Sequence, residues 1–224
     1  MQDLTLIIPA KYESESLPIF LEEIKKLACT KLVVLQADDK ITINSIETFK
    51  DVEILYQKDL GYGAALIEGI RHTSTNYFCI INADGSMNPS DLEKMLSSIN
   101  ENKLDFIFAS RYESPGGGSD DDTFVTSVGN FLFTKIGNIF FSLKITDILF
   151  NYVMGKTKSF DDLMLTSKDF ALCVEFPIQV KRKHYQYSTI PSYERNRIGG
   201  KKKVNAFKDG LLILIKMIKM FFIR

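Results

Sequence analysis

The sequence predicts an α/β protein built on one mostly parallel sheet with helices on both faces. Three observations point there. Apolar runs of strand length alternate with segments of helical apolar spacing through the first half of the chain. Each run is followed by polar residues or glycine, which places a turn at every strand end. Neither a repeat nor a linker rich in Pro, Gly or Ser splits the 224 residues, which are 45% hydrophobic and suffice for one good core or two small ones.

The elements follow in order. Leu4 to Ile8 reads as a buried strand, and Leu17, Phe20, Leu21, Ile24 and Leu27 carry helical spacing. Lys31 to Leu35 and Val52 to Tyr56 are the second and third strands, and Ala64 to His72 is a helix after a glycine turn. Tyr77 to Ile81 is the fourth strand. Pro89 to Asn100 is a helix capped by Ser90 or Asn88, and Asp105 to Ala109 is the fifth strand. An apolar helix follows the stretch Gly116 to Asp122, three glycines ahead of three acids. The chain enters its first strand with no signal peptide ahead of it.

Composition narrows the chemistry. Cys29, Cys79 and Cys173 are odd in number and widely spaced, which predicts reduced thiols in a cytosolic protein rather than disulfides or a zinc site. His72 and His184 leave little room for a histidine-based catalyst and read as surface or packing residues. The zero net charge conceals an asymmetry. Between Lys181 and Arg224 lie 12 basic and 2 acidic residues, leaving 16 and 26 for the rest. A basic end on an acidic body suits an anionic surface.

The strand ends collect the reactive groups. They are Pro9-Ala10-Lys11-Tyr12-Glu13, Ala37-Asp38-Asp39, Gln57 to Gly63, Asn82-Ala83-Asp84 and Ser110-Arg111-Tyr112. In open α/β sheets ligands bind outside the carboxyl ends of strands, so these five turns converge on one cleft. Asp84, with Asn82 two residues earlier, offers hard oxygens suited to Mg²⁺ or Mn²⁺ bridging a substrate's phosphates. The plainer reading makes Asp84 and Asn88 turn or cap residues. A dinucleotide fingerprint at Gly61-Tyr62-Gly63-Ala64 fails, because it belongs to the first strand–helix turn and wants a third glycine.

In their order, Pro9-Ala10 with Glu13, Asp38-Asp39, Gly61-x-Gly63-Ala64, Asn82-Ala83-Asp84 and Ser110-Arg111-Tyr112 resemble a family 2 glycosyltransferase of the GT-A fold. Ile190 to Arg195 and Arg197 to Lys201 resemble the end of the catalytic domain of dolichyl- or polyprenyl-phosphate sugar synthases. The resemblance covers residues 4 to about 205. It implies a Rossmann-like GT-A domain over 1–205 with a C-terminal amphipathic helix over 206–224.

The resemblance also implies roles. Pro9, Ala10, Tyr12, Glu13, Asp38, Gly61, Gly63 and Ala83 would form the nucleotide pocket. Asp84 with Asn82 would hold the cation, and Arg111 would meet the diphosphate or the acceptor phosphate. Ser127, Arg195, Arg197 and Lys201 would bind the acceptor or its phosphate. The implied activity is inverting transfer from a GDP- or UDP-sugar to a polyprenyl phosphate on the cytoplasmic membrane face, with no nucleic acid as partner. Other readings are a transferase acting on a cell-surface glycan, or a degenerate module that binds nucleotide sugar without turnover. Three departures stand out: Asn82 replaces the first metal-motif carboxylate, Ser86 replaces a glutamine, and Thr123 replaces an arginine four residues before Ser127. The Gly116–Asp122 stretch falls where the family places a mobile active-site loop.

Residues Ala206 to Arg224 are mostly apolar yet contain Lys208, Asp209, Lys216 and Lys219. On a helical wheel these four share an arc of roughly 100°. The sequence therefore predicts a helix lying on a membrane surface with its lysine stripe at the headgroups, rather than one crossing the bilayer. The competing reading packs the helix on the enzyme's own body.

Overall fold

The computed structural model describes residues 1–199 and 205–223. The chain runs through β1 (Leu4–Pro9), α1 (Leu17–Glu23), β2 (Thr30–Leu35), α2 (Lys40–Ser45), β3 (Val52–Tyr56) and α3 (Tyr62–His72). It continues through β4 (Tyr77–Ile80), α4 (Asp91–Glu101), β5 (Phe106–Ser110), β6 (Gly118–Ser119), α5 (Phe124–Phe141) and β7 (Val153–Lys156). The last part holds α6 (Thr157–Phe160), α7 (Leu172–Arg182), β8 (Tyr187–Pro191), β9 (Tyr193–Glu194) and α8 (Ala206–Phe222).

Seven strands form one sheet in the order β3-β2-β1-β4-β7-β5-β8. All are parallel except β7, which runs antiparallel to both β4 and β5. Because β1 alternates between two covered faces, Leu4, Leu6 and Ile8 join a core with α1 and α4, while Ile7 joins one with Phe78 and Phe176. The chain turns from β3-β2 back across β1 to β4, so a crevice opens where the ends of β1 and β4 diverge.

Several element boundaries differ from expectation. The first helix ends at Glu23, and Ile24 to Leu27 close in tight turns through Lys25 N–H to the Glu22 carbonyl and Leu27 N–H to the Ile24 carbonyl. The helix after β4 starts at Asp91. Ser90 makes no capping bond there, and the Asn88 side chain instead accepts from Ser90 N–H. Strand β7 was not anticipated. It is only four residues long, and its Gly155 lets the Phe106 ring pack where a Cβ would lie 2.4 Å away.

The glycine-rich stretch is tied down. Gly118–Ser119 pairs with Tyr193–Glu194 in a two-stranded parallel ribbon, and the Tyr193 hydroxyl donates to Asp120 at 2.6 Å. Cys79 and Cys173 are buried and Cys29 is half-buried, all as free thiols. Burial pushes the Cys173 thiol up to about 12.

The C-terminal helix corrects one expectation. Lys216 does not join a headgroup-facing stripe. Its ammonium turns inward to the buried Glu175 carboxylate at 2.7 Å, beside the buried Ile213, Met217 and Met220. One face of α8 thus packs on α5 and α7 through Ile213, Met217 and Met220, while Leu211, Leu214, Ile215, Ile218 and Phe222 are left outside.

Candidate functional site

A cavity of about 460 Å³ lies at the carboxyl ends of the strands. Its floor starts at β1. Ala10 N–H bonds the Val34 carbonyl at 2.9 Å, which carries the β-ladder past Pro9 before the chain turns. That turn is stapled by the next strand's loop. Tyr12 N–H donates to the Asp39 carboxylate at 2.7 Å, and Glu13 N–H donates to the Thr42 hydroxyl at 3.0 Å. Asp39 also caps α2 by accepting from Thr42 N–H at 3.2 Å.

The second wall is the start of α3. Gly61 adopts φ 121°, where a side chain is strained, and a Cβ there would lie 2.1 Å from the Lys168 carbonyl oxygen. Gly63 has the same function two residues on, since its Cβ would meet the Ser167 carbonyl at 2.3 Å. This close approach lets Tyr62 stack on Phe170 at 4.7 Å and point its hydroxyl at Asn82 Oδ1, 3.3 Å away. Burial holds the Tyr62 phenol well above its ordinary pKa, so it donates to Asn82 as a neutral group.

At the end of β4, the Asp84 Oδ1 accepts from Ser86 N–H at 3.1 Å and the Ser86 hydroxyl at 2.9 Å. Those bonds fix the carboxylate and leave Oδ2 facing Arg197, whose Nη1 is 3.5 Å away. Arg197 reaches this place on a strap. Arg195 N–H bonds the Ser86 carbonyl and Ile198 N–H bonds the Asp84 carbonyl, both at 2.8 Å. Gly85 is needed beneath, because its Cβ would lie 2.3 Å from Ile198. Arg197 also binds Asp121 of the glycine-rich loop at 2.7 Å, and that bond, with the charge of Asp84, raises its already high pKa.

On the far side the guanidinium of Arg111 is nearly buried. Its Nε and Nη2 bind the two oxygens of Asp147 at 2.7 and 3.0 Å, and Nη1 binds Glu194 at 3.0 Å. Its plane lies 4.7 Å over the Phe150 ring. Burial alone would lower its pKa, but the two carboxylates outweigh that and keep it charged.

Of the residues singled out in the sequence, Pro9, Ala10, Glu13 and Gly61 line the cavity, as do Asn82, Ala83, Asp84, Arg111 and Arg197. Gly63 lies just behind the wall. Tyr12 is exposed and contributes its backbone N–H, and Asp38 is exposed while its neighbour Asp39 takes the buried position. Ser127 lines a separate groove of about 290 Å³ along α5, and Arg195 is engaged by Glu23 at 2.7 Å and by the Gly85 carbonyl. Lys201 lies outside the described residues. Sequence reasoning missed Tyr62, Asp121, Asp147 and Glu194. A buried Asp147 amid Ile145, Ile148 and Phe150 was a usable signal, since a lone carboxylate in an apolar run needs a cation.

The donors present fit a divalent cation that shares its shell with a ligand. Asn82 and Asp84 supply one amide oxygen and one carboxylate, hard donors suited to Mg²⁺ or Mn²⁺ completed by phosphate oxygens and water. Among the described residues no group of three or more His, Cys, Asp or Glu could hold an ion unaided.

A mostly parallel sheet with its cleft at the β1/β4 divergence and a short acidic turn after β4 has the architecture of a GT-A nucleotide-binding protein. The chain belongs to glycosyl transferase family 2, whose sequence model matches residues 5–164. Over 214 residues it is 20% identical to glycosyltransferase AglJ of Haloferax volcanii, covering 95% of this chain and 70% of that protein. It is 26% identical to the uncharacterized glycosyltransferase Mb0553 of Mycobacterium bovis, over 44% of each chain. Among solved structures it is similar to glucosyl-3-phosphoglycerate synthase from Mycobacterium tuberculosis in complex with Mn²⁺, UDP-glucose and phosphoglyceric acid. That likeness has a TM-score of 0.73 at 10% identity, covering 99% of this chain and 80% of the other.

Proposed function

We propose that this chain is an inverting glycosyltransferase that moves a sugar from a nucleoside diphosphate sugar to a polyprenyl phosphate at the cytoplasmic membrane face. The observation that carries the reading is the placement of the Asn82–Asp84 turn. It lies beside the Pro9–Glu13 loop in one cavity, whose rim includes Thr126 and Asn130 of α5 and Asp209 and Ile213 of α8. A donor nucleotide lies over Pro9 and Ala10 with Glu13 near its ribose, and its diphosphate reaches Asp84.

A divalent ion held by Asp84 and Asn82 supplies positive charge for the leaving diphosphate when bound. Arg197 adds a second cation to the same place. The acceptor phosphate is already ionised, so its oxygen attacks the anomeric carbon without a base. The bond from that carbon to the donor phosphate breaks, and the nucleoside diphosphate departs with the electron pair. Positioning and charge neutralisation therefore carry the rate. Arg111, held by Asp147 and Glu194, keeps the β5 turn in place as a rigid wall of the cavity.

The deciding experiment incubates the protein with labelled GDP- and UDP-sugars, Mn²⁺ and polyprenyl phosphate. Label entering a chloroform-extractable lipid supports the reading, and label appearing only in water-soluble product overturns the lipid acceptor. Asn82, in place of a carboxylate, favours a second reading as a nucleotide-sugar binder without turnover. Saturable donor binding with neither transfer nor hydrolysis would establish it.

A further inference from the structure

The α5 helix keeps its fully buried positions for polar and small residues. Its 18 residues bury only Asn130, Thr134 and Gly137. The polar pair faces the protein for a reason. Asn130 accepts from Leu149 N–H at 3.0 Å, and Thr134 accepts from Ile148 N–H at 3.1 Å. One turn further, Asn138 pairs with both backbone groups of Ile145. This stripe satisfies the loop that carries Asp147 and leaves the opposite arc to solvent.

That opposite arc holds Phe124, Val125, Val128, Phe131, Leu132 and Ile139, all exposed, over roughly 120° of the helix. An ordinary surface helix turns its apolar arc to the core and its polar arc to water. Here Phe133, Ile136 and Phe141 already make the core contact and the outer arc is apolar as well, so that arc has a partner other than water.

The partner face continues onto α8. Phe140 and Phe141 of α5 pack edge-on against Phe221 of α8, at 5.6 and 6.3 Å between ring centres. Beyond that seam Leu211, Leu214, Ile215, Ile218 and Phe222 are exposed. The two helices thus present one apolar surface, and the cavity opens at its edge.

Charge selects the occupant. Neither Asp nor Glu occurs in α5, and Lys135 stands in the middle of its apolar arc. Among the described residues Lys135 has no carboxylate partner, and its ammonium lies 5.4 Å from the Phe131 ring. On α8, Lys208 and Lys219 are exposed at the border of the apolar arc. An apolar surface fringed by lysines suits acyl chains below anionic headgroups, with long lysine stems reaching up to the phosphates. A second copy of this face would bring lysine to lysine-rich surface with no acid on α5 to meet it.

We propose that α5 and α8 together form a single seat on an anionic bilayer, with α5 an inserted element in its own right. The inference extends the membrane placement of the proposed function, and its test needs no transfer reaction. Full-length protein is floated with vesicles of phosphatidylglycerol and phosphatidylethanolamine. The triple variant Val128→Ser, Leu132→Ser, Ile139→Ser leaves α8 intact and alters only exposed side chains. Its bound fraction should fall at least fivefold while its circular dichroism and melting temperature stay at wild-type values.

A second readout places an environment-sensitive dye at Ile139→Cys or at Ile218→Cys, in a Cys29→Ser background. Both dyes should shift to the blue on vesicle addition and be quenched by nitroxide lipids. A response at Ile218→Cys alone would overturn the role of α5 and leave α8 as a lone membrane helix. Failure to bind vesicles, with a dimer in solution that the triple variant breaks, would assign the face to self-association and overturn the bilayer. Vesicle binding without lipid-linked product would leave the seat intact and refute only the acceptor.

Discussion

The two sides of the cleft treat their charges in opposite ways. On the β1 and β4 side, Asp84 keeps one oxygen directed into the cavity, and its other oxygen is fixed by Ser86. On the β5 side, every polar edge of Arg111 already has a carboxylate. Arg197, though bound by Asp121, still faces Asp84 at the cavity, whereas the guanidinium of Arg111 is wholly engaged by acids of the fold. The first side is therefore expected to govern turnover, and the second to govern stability.

The largest expected effect tests the first side. Asp84→Ala should fold normally and lose transfer by about 10³-fold, or ~4 kcal/mol, measured as kcat/KM with Mn²⁺. Retention of more than a tenth of the activity would move the cation elsewhere.

The next prediction tests the other side. Asp147→Ala leaves the nearly buried Arg111 with Glu194 alone and should lower stability by about 3–5 kcal/mol in chemical denaturation. Arg111→Met should cost at least as much, because it strands two buried carboxylates, Asp147 and Glu194. If Arg111→Met unfolds at the wild-type denaturant concentration, Arg111 is not the reason Asp147 is buried.

Gly61 lies between the two in kind, since it shapes the cavity without carrying charge. Gly61→Ala should cost about 2 kcal/mol of stability, because φ 121° is strained for alanine and the Lys168 carbonyl must move. It should also weaken donor binding, read by calorimetry. A fully stable variant with wild-type donor affinity would show that the segment around Lys168 is free to retreat.

A smaller effect sharpens the metal assignment. Asn82→Asp adds a negative charge beside Asp84 and should lower the Mn²⁺ concentration for half-maximal activity about tenfold, or ~1.4 kcal/mol. An unchanged requirement would mean that residue 82 does not face the ion.

The smallest effect concerns pH. Burial pushes the Glu175 carboxyl up, yet the bonds from Lys216 and Ser167 outweigh it and leave its pKa below the ordinary value. Its contribution to stability is therefore complete above the usual carboxylate range near pH 4.3, and is lost as pH falls through the folded value. Glu175→Gln should flatten the acid limb of a stability–pH curve. An identical limb in both proteins would place the acid sensitivity elsewhere.

The strand-and-helix alternation up to β5 was legible because period and turn chemistry are local properties of neighbouring residues. So was the gathering of Pro9, Glu13, Gly61 and Asp84 at one sheet edge, which follows from parallel strands having their ends together. What lay beyond reach involved pairing across the sequence. Strand β7 depends on two partners about 75 and 50 residues away in the chain, and its four residues carry no pattern of their own. The capture of Arg111 by Asp147 and Glu194, 36 and 83 residues distant, is of the same kind.

Sequence by itself determined the fold class, the cleft and the carboxylate at its centre, since backbone propensity and side-chain spacing act over a few residues. Tertiary structure alone decided which charges remain usable and which helix faces meet solvent. Lys216 turned inward because Glu175 was buried there, and α5 turned its apolar arc outward because the loop through Asp147 needed its asparagines and threonine. Those outcomes rest on the cost of leaving a buried charge or backbone group unpaired, a cost that exists only once distant segments have met.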